Sequence, residues 1–89
     1  MRVSSVILQK DFKKQFSKLS KKIQLEFEDR LRLFLSDQFH PILNSHPLHG
    51  EWEKYWSINI TGDVRAIYIT KDFTAIFVAI GTHSQLYGG

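Results

Sequence analysis

From Phe12 onward the large apolar residues recur at helical spacing, and beyond Trp52 they recur at strand spacing; this change of period governs what the chain can become. Phe12, Phe16 and Leu19 stand at i, i+4 and i+7 with lysines between them, which is one apolar stripe of an amphipathic helix. Ser20 is a suitable N-cap for a second helix, along which Ile23, Phe27, Leu31 and Phe34 continue the period. The pair predicts a helical hairpin that ends near Phe39, because Pro41 disfavours helix at His40. Ahead of it, Val3 to Leu8 reads as a short β-branched strand. After an irregular stretch to Gly50, Trp52 to Ile60 reads as a strand, with Trp56, Ile58 and Ile60 on one face and Tyr55, Ser57 and Asn59 on the other. Thr61, Gly62 and Asp63 form a turn into a return strand, Val64 to Thr70, and Lys71 and Asp72 turn the chain into a last strand, Phe73 to Ile80.

The expected fold is therefore α+β in the order β-α-α-β-β-β, an antiparallel sheet with the helical hairpin packed on one face. At 89 residues, 1–89 is a single domain with one core. Seven Phe and two Trp can fill it without staples, and the absence of Cys removes both disulfides and thiolate chemistry. The apolar run Val6 to Leu8 is too short for a signal peptide, and no segment approaches a membrane span, so a cytoplasmic protein is expected.

The net charge of +3 is unevenly placed. Lys10, Lys13, Lys14, Lys18, Lys21 and Lys22 crowd one short stretch, whereas the second half is slightly acidic. Such a cluster attracts a polyanion if its members share a face, and is otherwise a solvated helix surface.

The chain closes on Gly81, Thr82, His83 and Tyr87, directly after its most apolar run. HPLHGEWEKYWSINITGDVRAIY (His46 to Tyr68) together with GTHSQLYG (Gly81 to Gly88) resembles the YafQ branch of the RelE/ParE superfamily, the toxin half of bacterial type II toxin-antitoxin pairs. The joint order of His-Pro-Leu-x-Gly-x-Trp, Gly-Asp-x-Arg-x-x-Tyr and Gly-Thr-His carries the likeness, and the helical first half is compatible with the same RelE/ParE-like fold. The resemblance implies a toxin that is a ribosome-dependent endoribonuclease. It would cut mRNA in the decoding site, need no metal or other cofactor, and be silenced by a cognate antitoxin.

RNA cleavage through the neighbouring 2′-hydroxyl needs a base for that proton, a stabiliser for the phosphorane and an acid for the 5′-oxygen. Imidazole, with an unperturbed pKa of about 6.5, suits either proton transfer. Guanidinium offers a permanently charged fork to phosphate. The resemblance assigns proton transfer to His83 and His46, an orienting role to Asp63 and phosphate contact to Arg65. It places Tyr87 where it can stack on a base or position the phosphate. Each has a plainer alternative: a strand-end cap for His83, a solvated loop residue for His46, turn chemistry for Asp63, a solvent-facing side chain for Arg65 and packing for Tyr87.

The chain also departs from the family. Trp56 fills a commonly basic position, for which Lys54, two residues away, can supply the charge from the same strand face. Ser57 and Asn59 stand where YafQ has an acid and a histidine, which leaves a leaner proton-transfer set. Lys13, Lys14 and Lys18 complete the expected RNA contacts. A catalytically weak relative acting only by protein binding and a ParE-like gyrase inhibitor are the competing readings. A metal site built from His40, His46, His49 and His83 lacks an acidic or thiolate ligand nearby.

Overall fold

The computed structural model describes residues 3–88. Its elements are β1 (Ser5–Leu8), α1 (Lys10–Ser17), α2 (Lys21–Ser36), β2 (His46–Pro47), β3 (Trp56–Asn59), β4 (Val64–Lys71), β5 (Thr74–Thr82) and α3 (His83–Tyr87). Short 3-10 turns at Pro41–Leu43 and Gly50–Trp52 punctuate the loop on either side of β2. The α+β fold is as expected. The sheet has order β1-β5-β4-β3-β2, and its last four strands are antiparallel neighbours.

The opening strand departs from a purely antiparallel sheet. β1 pairs with β5 in parallel, Ser5 beside Thr74 through Leu8 beside Phe77, so the two ends of the chain are stitched together. A parallel pair needs a crossover between its strands, and α1 and α2 lie on that connection. Two further elements had no clear sequence signal: β2 is too short to show alternation, and α3 is a single capped turn and a half.

α2 begins as the sequence predicts, with Ser20 Oγ accepting from Ile23 N at 3.3 Å. It stops at Ser36, a few residues before Phe39, where Asp37 adopts extended backbone. Phe12, Phe27 and Phe34 from the helices meet Ile58, Ala66, Tyr68, Phe77 and Ile80 from the sheet, all buried. Phe77 is the hub: its ring lies 5.9 Å from Phe12, 5.8 Å from Phe27, 5.5 Å from Phe34 and 5.2 Å from Tyr68. Burial pushes the Tyr68 phenol above its usual pKa, against the pull of hydrogen bonds with Ser45 and Gln38.

A bulge in β5 decides which residues the other face of the sheet presents. Pairing with β4 jumps from Ile67 beside Ala79 to Tyr68 beside Phe77, leaving Val78 as the extra residue. Phe77 and Ile80 can then both face the core although they are three apart, and Ala79 and Gly81 turn to the opposite face. No helix among the described residues is long and apolar enough to cross a membrane.

Candidate functional site

The sheet face turned away from the helices carries the chemistry. Ile58, Val64, Ala66 and Tyr68 point into the core, so period-2 alternation sends Ser57 and Arg65 to the other side. His46 is the direct cross-strand partner of Ser57, and Gly81 is that of Arg65. An open cleft of about 380 Å³ forms there, lined by His46, His49, Trp52, Ser57, Arg65, His83 and Tyr87, with Asn44 and Leu48.

His46 is held by the loop before it. Asn44 adopts a left-handed conformation, φ 47°, which Asn tolerates better than most residues, and its carbonyl accepts a 2.7 Å hydrogen bond from His46 Nδ1. A carbonyl can only accept, so Nδ1 carries the proton. In the neutral ring Nε2 is then left with a free lone pair.

Arg65 is braced from the turn preceding its strand. Its Nη1 donates to the carbonyls of Thr61 at 3.3 Å and Gly62 at 3.2 Å, which restrains the guanidinium without neutralising it. Asp63 sits in that same turn, exposed, two residues from Arg65 and outside the cleft lining. The turn itself is fixed by Thr61 Oγ1, which accepts from the amides of Asp63 and Val64.

His83 does not trail from the end of a strand. It is the first residue of α3, whose capping box joins Thr82 Oγ1 to Gln85 N at 3.2 Å and Thr82 N to Gln85 Oε1 at 2.8 Å. One turn later Tyr87 meets the imidazole edge-on, with ring centres 4.6 Å apart. Gly81 lets this helix fold back onto β5, because a Cβ there would lie 2.8 Å from Gln85 Oε1 and 3.3 Å from Gln85 Cβ. Gly81→Ala should therefore break the capping box at a cost of about 1 kcal/mol and displace His83 and Tyr87. Backbone amide spectra would show shifts concentrated in residues 81–88; spectra unchanged there would refute the packing argument.

Four of the sequence-predicted residues, His46, Arg65, His83 and Tyr87, thus share one cleft. Lys54 does not lie on a strand face: it occupies the turn before β3 with φ 77°, is exposed and is not part of the lining. Lys13 and Lys14 on α1, and Lys18 at its C-cap, are exposed on the helical layer and are not part of the cleft lining. None of the three joins an ion pair among the described residues, where Arg30–Glu26 and Arg32–Asp29 are the pairs formed. Asn44, Leu48, His49, Trp52 and Ser57 are the additions. His49 follows from the loop path, and Ser57 from a cross-strand register that alternation alone does not supply. No group of three or more His, Asp or Glu among the described residues is arranged to hold a metal ion.

Residues 4–88 match the family model for YafQ, the bacterial toxin of type II toxin-antitoxin systems. Among solved structures, YafQ from Escherichia coli BL21(DE3) superposes with a TM-score of 0.80 at 21% identity, covering 99% of this chain and 100% of that one. A copper-bound mutant toxin from Helicobacter pylori gives 0.72 at 25% identity, covering 96% and 100%. The E. coli DinJ–YafQ toxin-antitoxin complex gives 0.77 at 22% identity, covering 93% and 96%. A comparison with curated protein sequences finds no match. With the family match spanning nearly the whole chain and the cleft formed by the residues of the shared motifs, the chain belongs to the YafQ family of type II toxin-antitoxin toxins.

Proposed function

We propose that this toxin is a ribosome-dependent endoribonuclease that cuts mRNA in the decoding site and is neutralised by a cognate antitoxin. The observation that carries the reading is the convergence of two histidines and a braced arginine, His46, His83 and Arg65, on one open cleft. A phosphodiester in that cleft meets the set of groups that 2′-hydroxyl attack requires.

His46 is suited to be the base. With Nδ1–H engaged by Asn44, its Nε2 takes the 2′-hydroxyl proton as the 2′-oxygen bonds to phosphorus. Arg65 donates to the non-bridging oxygens, whose negative charge grows in the phosphorane. His83 gives a proton to the 5′-oxygen as the P–O bond breaks, leaving a 2′,3′-cyclic phosphate and a 5′-hydroxyl. Its exposed position at the helix start leaves the ring open to a leaving group, and Tyr87 fixes its orientation. Asp63, exposed in the turn that braces Arg65, takes no part in these steps. None of these steps calls for a metal ion.

Purified toxin added to ribosomes programmed with a defined message should release fragments cut within the codon in the decoding site. Intact message together with blocked gyrase supercoiling would overturn this reading in favour of the other branch of the superfamily. The antitoxin part rests on the family and on the E. coli toxin, which is solved in complex with DinJ. A partner encoded beside this gene should co-purify with the toxin and abolish cleavage.

The exposed lysines of the helical layer lie outside the lining of that cleft, and in this reading they contact ribosomal RNA. Reversing Lys13, Lys14 and Lys18 to Glu should weaken ribosome binding and flatten the slope of log affinity against log salt by roughly 0.7–0.9 for each phosphate no longer neutralised. An unchanged slope would return these lysines to the role of a solvated surface.

A further inference from the structure

Three buried side-chain atoms among the described residues lack a hydrogen-bond partner: Gln38 Oε1, Asn59 Oδ1 and Ser57 Oγ. Of the three residues, Ser57 alone lines the cleft that holds His46, His83 and Arg65. The residue is fully buried, 0% exposed, where it borders that cleft. Directly across the β2–β3 ladder stands His46, and Arg65 comes from the next strand on the same sheet face.

A hydroxyl in this position is a poor choice for folding alone. On the β4 side its cross-strand neighbour on the same face, Ile67, is fully buried and apolar, so an alanine would pack in its place with no polar atom to desolvate. A buried polar atom left unpaired calls for a partner that arrives later. Neither protein side chain nor backbone supplies one here, and the space the residue borders is the cleft.

We propose that Ser57 is a substrate contact, its hydroxyl donating a hydrogen bond to a non-bridging oxygen of the phosphodiester bound between His46, His83 and Arg65. This rests on the nuclease reading above and extends it. Ser57 takes no proton from the reaction; it adds a neutral donor below the phosphate while Arg65 supplies the charge.

Binding of a non-cleavable dinucleotide separates the alternatives. The probe is adenylyl-(3′,5′)-guanosine carrying a 2′-O-methyl group on the adenosine, titrated into the whole protein and followed by the backbone amides of Ser57, Arg65 and His83. Ser57→Ala should weaken binding roughly tenfold, as expected for removal of a hydrogen bond to a charged acceptor, while its melting temperature equals or exceeds that of the wild type. Equal affinity for the two proteins would overturn the role of Ser57 and leave the nuclease reading standing. A wild-type protein whose cleft amides do not respond to the probe would overturn the phosphate contact, whereas cleavage of ribosome-bound mRNA alone decides the nuclease reading.

Discussion

His83→Ala should lower cleavage of ribosome-bound mRNA by about 10²–10⁴-fold, the range that a positioned proton donor contributes. The fold should survive, because His83 is exposed at the start of a short helix and its removal costs the protein little more than the edge contact with Tyr87. Melting should stay within about 4 °C of wild type. Both measurements are needed: a slow variant that melts normally assigns the loss to chemistry. A variant that cuts at the wild-type rate would move the acid role elsewhere in the cleft. His49 is then the group to test, since it is the remaining imidazole in the lining. The composition of β3 makes the expected loss severe. Trp56, Ser57, Ile58 and Asn59 carry no group that exchanges a proton near neutral pH, so β3 holds no spare proton carrier.

Phe77→Ala should have the largest effect on stability. The ring is fully buried and touches four other aromatic rings, from α1, α2 and β4, so its loss opens a cavity where both layers meet. Truncations of this kind cost about 3–5 kcal/mol, a large part of the roughly 5–15 kcal/mol that holds a domain of this size folded. A fall in melting temperature of at least about 12 °C is expected. A fall of only a few degrees would mean that the core can close around the gap, and that the aromatic cluster is less interlocked than its geometry indicates.

Much of the fold could be read from particular residues. The helical stripe from Phe12 to Phe34 found both helices, and Ser20 marked the boundary between them because an N-cap acts within one turn. The turn at Thr61 to Asp63 delimited β3 and β4 for the same reason, its hydroxyl binding amides two and three residues on. The parallel seating of β1 against β5 was not legible, since nothing in either strand records which neighbour it will find across the length of the chain. Nor was α3. Five residues are too few to show a period, and the capping box that defines the helix involves Thr82 and Gln85, which read equally well as loop.

The candidate site divides in the same way. His46, Arg65, His83 and Tyr87 were picked out by residue type and motif, and chemistry that belongs to a side chain is visible wherever it stands. That they share a cleft is a tertiary fact. It depends on the β5 bulge, which turns Gly81 towards Arg65, and on the absence of a Cβ at Gly81, which lets α3 close over the strand. Ser57 shows the limit most clearly: as a letter it is an ordinary small polar residue, and only the tertiary structure shows its hydroxyl buried beside the cleft without a partner. The sequence by itself determined the elements and the reactive groups, because capping, alternation and ionisation act over a few bonds or turns. Tertiary structure decided which groups meet, because register, the bulge and the crossover join residues that lie far apart along the chain.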